Sequence, residues 1–248
     1  MNILVVNDDG ISAQGLTKLA TLAKSLGSVW VVAPDRQCSG MSHHITPTGE
    51  LILREETQFP VANVSAWSLS GTPADCVKVA LDVVMPQKPD VLLTGINLGC
   101  NAGVDILYSG TVGAAMEGVV NHIPSIAFSS IEGRDFRLID EYLLYIAREL
   151  LSQRISSSEL WNVNFPKCEA GKNPQILYDC FPSYQNYYEL KHEKEKTMQD
   201  GSILLQSRSK VTEKAEPGSD VDALLKGCIA VGKVGSEVLR VGRENIEK

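Results

Sequence analysis

The stretch Ile3-Leu4-Val5-Val6-Asn7-Asp8-Asp9-Gly10 joins an apolar run to two adjacent carboxylates. Side chains on a strand alternate between its two faces, so consecutive aspartates can converge on one point only where the strand ends. Crowding two carboxylates there raises their mutual repulsion, which a divalent cation with oxygen ligands would offset. The alternative is an ordinary turn, because Asp and Gly are common turn residues. Taken alone, these residues favour the turn.

The residues that follow Gly10 predict a βαβ unit. Apolar residues recur at helical spacing from Leu16 to Leu26, and Gly27 ends the pattern. Val29-Trp30-Val31-Val32-Ala33 is a continuous apolar run, typical of a strand buried on both faces. Strand, helix and strand at this spacing predict a right-handed crossover between parallel strands. We therefore expect an α/β fold with a Rossmann-like, mainly parallel sheet flanked by helices.

The rest of the chain continues this alternation. Strands are predicted at 50–56 and 61–69, which could form a ribbon beside the main sheet, and at 90–94, 123–128 and 161–165; helices are predicted at 73–84, 112–121, 138–151 and 220–225. Thr72 is placed as an N-cap and Asp75 as the acid of the first turn, so we assign no chemistry to Asp75. Asn162 and Asn164 alternate with apolar residues, which predicts a strand buried on one face only.

The composition changes after Pro166, where the chain becomes polar. We predict a catalytic core at 1–166 and a C-terminal extension at 167–248 that completes the same domain and forms a hairpin arm for oligomerisation. Weak strand signals fall at 175–179 and 203–206, and a last strand at 228–231. The charged tract Lys191-His192-Glu193-Lys194-Glu195-Lys196 is expected at a solvated tip.

Composition narrows the class of protein. The 248 residues are 44% hydrophobic, which fits one large domain or a compact domain with an extension, and the net charge of −7 argues against a nucleic-acid polymer as partner. No apolar run approaches the ~20 residues that span a bilayer, and no signal-peptide pattern is present, so we expect no membrane partner. Six scattered cysteines without a Cys-x-x-Cys pair indicate reduced thiols and a cytoplasmic location.

Oxygen donors follow three of the predicted strands: Asp8 and Asp9, then Ser39, then Asn97. Loops after parallel strands share one edge of the sheet, so these four side chains can surround one ion. Two carboxylates, a hydroxyl and an amide oxygen suit one Mg²⁺ or Mn²⁺ per subunit and leave ligand positions for water and a phosphate. A structural zinc site would need Cys and His at short spacings. We assign catalysis to Asp8, Asp9 and Asn97, and leave open which carboxylate acts as base or nucleophile.

A phosphate site is predicted at Ser109-Gly110-Thr111, where a helix of small residues begins. Helix starts offer unpaired N–H groups and the positive end of the helix dipole, and Gly110 permits close approach of the backbone. With Asn97, these three residues are our substrate-binding set. A plain N-cap beside a loop glycine explains them almost as well. His43 and His44 could donate to phosphate, but an adjacent pair in a surface loop is more often simply exposed, so neither is assigned a role.

Other functional classes fit less well. The Gly-x-Gly-x-x-Gly pattern of dinucleotide-binding folds does not follow the first strand, and no Gly-x-Ser-x-Gly elbow is present. The rival hypothesis is a receiver-type phospho-acceptor domain, which also carries an acidic pair after its first strand. Such a domain needs an acceptor Asp after a middle strand, where this chain has Asn97, and it is much shorter. A stable acyl-phosphate after incubation with a small phosphodonor would favour this rival.

Four separated motifs resemble the SurE (stationary-phase survival) family of nucleotidases, and shorter matches return at Asn162-Val163-Asn164-Phe165-Pro166 and Gly218-Ser219-Asp220. The four are Leu4-Val5-Val6-Asn7-Asp8-Asp9-Gly10, Ala33-Pro34-Asp35-Arg36-Gln37-Cys38-Ser39-Gly40, Gly71-Thr72-Pro73-Ala74-Asp75-Cys76-Val77, and Gly95-Ile96-Asn97-Leu98-Gly99 through Tyr108-Ser109-Gly110-Thr111-Val112-Gly113-Ala114-Ala115. The segment around Ile229-Ala230-Val231-Gly232-Lys233 lacks the Ser/Thr-Pro-Leu ending of the family.

The resemblance implies a metal-dependent phosphatase that acts on nucleoside 5′- and 3′-monophosphates, and in some members on polyphosphate. It implies that the metal is held by Asp8, Asp9, Ser39 and Asn97, the same set that the strand ends suggest. It also implies a Rossmann-like core with a C-terminal arm exchanged between subunits of a homodimer or homotetramer. We expect a phosphomonoesterase of the 5′-nucleotidase type.

Overall fold

The computed structural model describes residues 1–131, 136–153, 158–167 and 173–235. Its strands are β1 (Asn2–Val6), β2 (Ser28–Pro34), β3 (Leu53–Glu55), β4 (Ser65–Leu69), β5 (Val91–Leu98), β6 (Ser125–Ser130), β7 (Glu159–Phe165), β8 (Ile176–Leu177), β9 (Tyr188–Thr197), β10 (Ile203–Val211) and β11 (Ile229–Gly235). Its α-helices are α1 (Gln14–Ala23), α2 (Pro73–Val79), α3 (Gly110–Val120), α4 (Arg137–Ser152) and α5 (Asp220–Leu225). A π-helical turn, Ala80–Val84, continues α2, and a 3₁₀ turn, Val104–Tyr108, precedes α3.

Within the described residues, nine strands form the central sheet in the order β3-β4-β2-β1-β5-β6-β7-β11-β8. The six strands from β4 to β7 in this order are mutually parallel. β3 pairs antiparallel with β4, and β11 pairs antiparallel with β7 and parallel with β8. This arrangement confirms the predicted mainly parallel α/β sheet flanked by helices. β1 lies between β2 and β5, so the strand order reverses beside it. The carboxyl edge of β1 is therefore the topological switch point, where such sheets bind ligands.

Helices cover both faces of the sheet. In β1, Ile3 and Val5 belong to the core beneath α1 and α4, whereas Leu4 and Val6 belong to the core beneath α2 and α3. All four side chains are fully buried. The continuous apolar run is thus explained, because each strand position must bury its side chain on one of two covered faces. No helix within the described ranges is long and apolar enough to cross a membrane.

Strand β7 corrects one prediction. Its asparagines were expected on a solvated face, but Asn162 and Asn164 are buried, at 4% and 1% exposure. The Nδ2 groups of both donate to the carbonyl of Asn101, at 2.8 and 3.1 Å, and the N–H of Asn101 donates to Oδ1 of Asn164 at 2.7 Å. Hydrogen bonds to a distant loop therefore replace the water that the alternating pattern implied.

The region before α2 corrects a second prediction. The strands predicted at 50–56 and 61–69 form β3 and β4, but they extend the main sheet instead of making a separate ribbon. β4 pairs in parallel with β2, and β3 closes this edge as an antiparallel strand. Thr72 caps α2 as predicted, since its hydroxyl accepts the N–H of Asp75 and the Asp75 carboxylate accepts the N–H of Thr72.

The C-terminal extension contributes to the same sheet and also forms a separate hairpin. β11 pairs with β7, and β9 and β10 form a two-stranded antiparallel sheet. The charged tract at 191–196 lies along exposed β9 and not at the tip, which falls between Thr197 and Ile203. Buried Asp220 ties this region to the core by accepting the N–H groups of Gly103 and Ser183 at 2.9 and 3.0 Å. The division at residue 166 stays a prediction.

Candidate metal and phosphate site

Asp8 lies two residues beyond the end of β1 and is almost fully buried, at 3% exposure. Its Oδ1 accepts the hydroxyl of Thr111 at 2.6 Å, and its carbonyl accepts the N–H of Cys38 at 2.7 Å. Burial, together with the charge of Asp9, raises the pKa of Asp8 to about 6 against the opposing effect of the Thr111 bond. Asp8 is thus a buried carboxyl group fixed by two other segments of the chain.

Asp9 faces the neighbouring strand. Its Oδ2 accepts the N–H of Leu98 at 3.2 Å, and its Oδ1 lies 3.5 Å from Nε2 of Gln37. Asn7 stabilises the turn that carries both carboxylates. Its side chain is fully buried, and its Nδ2 donates to the carbonyl of Gly10 at 3.0 Å. The turn interpretation of Asn7–Gly10 is therefore correct for the backbone, and it leaves the two carboxylates directed to different neighbours.

Asn97 lies within β5, whereas the sequence placed it in a loop after a strand ending at Thr94. β5 continues to Leu98 because its pairing with β6 resumes at Asn97 after a register shift. The Asn97 side chain is 9% exposed, and its Nδ2 donates to the carbonyl of Gly99 at 2.8 Å. That bond occupies the amide nitrogen, so Oδ1 is the atom available as a ligand.

Ser39 is exposed and follows Cys38, the residue whose N–H is bonded to Asp8. The loop that carries Ser39 packs on α3: a Cβ built on Gly113 would lie 2.3 Å from the carbonyl of Ser42. The loop is also held at His43, whose Nε2 lies 2.8 Å from Oε2 of Glu117 in α3. Burial acts to raise the pKa of Glu117, but His43, Lys78 and Asn121 together hold that pKa below its usual value. No pattern in the sequence indicates this contact, since 74 residues separate the pair.

The start of α3 adjoins Asp8 directly. A Cβ built on Gly110 would lie 2.9 Å from Cβ of Asp8 and 3.3 Å from the carbonyl of Cys38. The Ser109 hydroxyl accepts the N–H of Val112 at 3.0 Å, so the N-cap interpretation is correct for Ser109. That hydroxyl still has its own proton to donate, and the N–H groups at a helix start lack carbonyl partners within the helix. The start of α3 therefore lies against a buried carboxyl group.

The donor chemistry fits a hard divalent cation. In the part of the chain that the structure describes, no lysine, arginine or histidine forms an ion pair with Asp8 or Asp9. Two adjacent carboxylates without a positive partner raise each other's energy, which a bound cation would relieve. No cluster of three or more His, Cys, Asp or Glu suited to a metal occurs among the described residues, so a zinc-type cage is not formed there. Oxygen-ligand ions such as Mg²⁺ or Mn²⁺ match the donors present.

These features define a class: an α/β protein with an acidic, oxygen-lined candidate site at the switch point of a parallel sheet, beside the start of a helix. Comparison with known proteins then gives the family. Residues 3–180 match the family described as "Survival protein SurE". The chain belongs to the SurE family.

Relatives and a solved structure agree with this assignment. The chain is 43% identical over 171 residues to the 5′-nucleotidase SurE of Pelotomaculum thermopropionicum, covering 67% of this chain and 64% of that protein. It is 43% identical over 168 residues to the 5′-nucleotidase SurE of Flavobacterium psychrophilum, covering 66% and 65%. The alignments thus span just under two thirds of these relatives. The crystal structure of the SurE protein from Aquifex aeolicus covers all of both chains, with a TM-score of 0.80 and 33% identity.

Proposed function

We propose that the protein is a metal-dependent 5′-nucleotidase that hydrolyses nucleoside 5′-monophosphates, and also 3′-monophosphates, to nucleoside and phosphate. The observation that carries the proposal is the contact between α3 and Asp8. Thr111 bonds to the Asp8 carboxylate, and Gly110 packs against its Cβ. A cation held by Asp8 and an anion held at the start of α3 would therefore be adjacent, which suits a phosphate ester bound between a metal ion and a helix start. The relatives named 5′-nucleotidase support the same substrate class.

One divalent ion per subunit would be held by Asp8, Asp9, Ser39 and Asn97. It would supply Lewis-acid polarisation of the phosphoryl group and of a nearby water molecule. Because Nδ2 of Asn97 donates to the carbonyl of Gly99, the amide oxygen of Asn97, and not its nitrogen, would be the metal ligand. The loop contacts of Cys38 and His43 hold Ser39 near Asp8. These contacts restrict the movement of Asn97 and of the Ser39 loop, which would lower the reorganisation that binding of an ion requires.

Phosphate oxygens would be held by the start of α3. The N–H of Gly110 and the hydroxyl of Ser109 are the donors that the helix leaves for an anion. The hydroxyl and the backbone N–H of Thr111 both donate to the Asp8 carboxylate, so the role proposed for Thr111 is to fix the orientation of that carboxylate beside the phosphate. These donors stabilise negative charge that moves onto the phosphoryl oxygens during transfer.

The purified protein should release phosphate from nucleoside 5′-monophosphates in the presence of Mn²⁺ or Mg²⁺, and a chelator should abolish the release. A panel of nucleotides with either ion, followed by colorimetric phosphate detection, measures this directly. Parallel 3′-monophosphates test the second ester class. Absence of phosphate release from every nucleotide with both ions would contradict the proposed function. Formation of a stable acyl-phosphate from a small phosphodonor would support the receiver-type rival, although the acceptor position carries the amide of Asn97.

We further propose a cytoplasmic homodimer or homotetramer in which the β9–β10 hairpin reaches a second subunit. The hairpin stands apart from the main sheet and exposes the large apolar side chains of Leu190, Ile203, Leu205 and Val211. Apolar side chains exposed on a two-stranded ribbon gain stability when another surface covers them. Light scattering should therefore give a mass of two or four chains. A monomer at micromolar concentration would contradict the assembly without affecting the proposed activity.

A further inference from the structure

Two buried carboxylates that the proposed chemistry does not use lie against the Ser39 loop, residues 38–46. Asp75 belongs to α2 and is 2% exposed, and Glu117 belongs to α3 and is 5% exposed. A carboxylate removed from water needs hydrogen-bond donors or a positive partner. Both carboxylates obtain donors from the Ser39 loop, so the loop and the two helices hold each other in place.

The cap of α2 accounts for only part of the bonding of Asp75. Its Oδ2 accepts the N–H of Thr72 at 2.9 Å, which completes the cap predicted from the sequence. Oδ2 also accepts the hydroxyl of Thr46 at 2.7 Å, and Oδ1 accepts the N–H of Thr46 at 2.8 Å. Burial acts to raise the pKa of Asp75, but the bonds from Thr46 and Thr72 hold that pKa below its usual value. Asp75 is therefore an anion that fixes the end of the Ser39 loop.

Glu117 fixes the middle of the loop. Its Oε2 lies 2.8 Å from Nε2 of His43, and its Oε1 lies 2.9 Å from Nδ2 of Asn121 and 3.6 Å from Nζ of Lys78. Ser42, the residue before His43, has a φ of 53°, in the left-handed region that serine seldom adopts. Such a conformation persists only where surrounding contacts impose it. The contact with Glu117 is one of those that determine the path of the loop.

Ser39 lies between two fastened points of the loop. On one side, the N–H of Cys38 donates to the carbonyl of Asp8 at 2.7 Å. On the other side, the N–H of Ser42 donates to the carbonyl of Tyr108 at 3.0 Å. A neutral hydroxyl is attracted to a cation less strongly than a carboxylate is. The gain from this one ligand must also exceed the entropy that is lost when its loop becomes ordered.

We propose that Asp75 and Glu117 are positioning residues for metal binding, because they hold Ser39 where its hydroxyl can act as a ligand. Asp75 acts through Thr46, and Glu117 acts through His43. The inference rests on the proposed function, since it concerns the same ion. With both contacts in place, the loop is ordered before an ion binds, so less conformational entropy is lost on binding. A purely structural role for the two carboxylates predicts general stabilisation instead, without a specific link to Ser39.

His43→Ala removes one of the two contacts. We expect its Mn²⁺ dissociation constant, measured by calorimetry, to rise about tenfold, the size of one hydrogen bond to a charged group. His43→Gln should keep most of the affinity, because the amide nitrogen of glutamine can occupy the place of Nε2. His44→Ala is the matched control in the same loop, because His44 is exposed and its contact with Thr72 uses only its backbone carbonyl. The control should bind Mn²⁺ as the unchanged protein does.

Thr46→Val tests the contact with Asp75 without disturbing the cap of α2, since the bond between Asp75 and Thr72 remains. Valine has nearly the shape of threonine, and the backbone N–H that donates to Oδ1 is retained. Only the bond from the hydroxyl is lost. We therefore expect a smaller rise in the Mn²⁺ dissociation constant, about threefold.

Combination with Ser39→Ala distinguishes positioning from general support. If the two carboxylates act through Ser39, then His43→Ala and Thr46→Val should cause no further loss of Mn²⁺ affinity in a Ser39→Ala protein. An equal loss in both backgrounds would overturn the inference. So would unchanged Mn²⁺ affinity in either single variant, or absence of Mn²⁺ binding by the unchanged protein. Because the readout is metal binding, a protein that shows the expected pattern but releases no phosphate would contradict only the proposed nucleotidase activity.

Discussion

Asp8→Asn should lower nucleotide hydrolysis by about a thousandfold, the scale of losing a central electrostatic group in an active site. Asparagine has nearly the same shape, and its amide oxygen can still accept the hydroxyl of Thr111, which now bonds to Asp8 at 2.6 Å. What the substitution removes is the negative charge needed to hold a divalent ion. Activity with saturating Mn²⁺, and the Mn²⁺ affinity itself, are the quantities to measure.

The same variant should be more stable than the unchanged protein when no metal is bound. Burial raises the pKa of Asp8 from 3.8 to about 6, so the folded state binds a proton more tightly than the unfolded state does. The metal-free protein therefore loses stability as the pH rises from about 4 to 6, by up to about 3 kcal/mol from this group. The amide that replaces the carboxylate in the variant has no charge to desolvate. In a chelator, urea unfolding at pH 8 should show Asp8→Asn as the more stable protein.

Asp82→Asn is the matched control, since Asp82 lies on the exposed π-helical turn after α2. It should keep both the activity and the stability of the unchanged protein. Addition of Mn²⁺ should raise the unfolding temperature of the unchanged protein and of the control, but not that of Asp8→Asn. Activity retained in Asp8→Asn would contradict the metal assignment even if the protein proves to be a nucleotidase. An unfolded variant would contradict the stability argument.

The parallel core could be predicted because its signals are local. The apolar runs at 3–6 and 29–33 are each buried on both faces, as their unbroken hydrophobicity requires. The acidic pair follows the first of them after one residue, so its place at the sheet edge follows from the strand alone. The hairpin extension was predicted from composition, but no strand was predicted over β9, and β10 is longer than the weak strand signal at 203–206.

The errors in the sequence-based predictions have a common physical cause. Each concerns a residue whose position depends on partners that are distant in sequence. The alternation of polar and apolar residues around Asn164 predicts that its side chain faces solvent. Its side chain instead forms hydrogen bonds with the backbone of Asn101, 63 residues away. The register shift that keeps Asn97 within β5 arises in the pairing with β6. The pair of His43 and Glu117 likewise joins segments far apart in the chain. A hydrophobic pattern reports burial, but it does not identify which polar groups meet inside.

Gly110→Ala should reduce activity by about a hundredfold while the protein stays folded. The added Cβ would lie 2.9 Å from Cβ of Asp8, 3.1 Å from its Oδ2 and 3.3 Å from the carbonyl of Cys38. Contacts under 3 Å cannot persist, so Asp8 or the Cys38 loop must move by several tenths of an ångström. Displacements of about 1 Å in an active site can cost about a hundredfold in rate. The methyl group would also occupy the space through which a phosphate approaches the helix start.

Stability should change much less than activity, which distinguishes a site effect from general damage. Alanine favours helix formation over glycine by roughly 0.5–1 kcal/mol, which offsets part of the strain at Gly110. Val120→Ala, at the half-exposed end of the same helix, is the control and should keep full activity. Steady-state kinetics and urea unfolding on the three proteins measure both effects. Full activity in Gly110→Ala would mean that phosphate does not bind at the start of α3. If Gly110→Ala lost both activity and folding, Gly110 would be needed for packing and not specifically for phosphate binding. The contact between Asp8 and α3 would then no longer support the phosphate site.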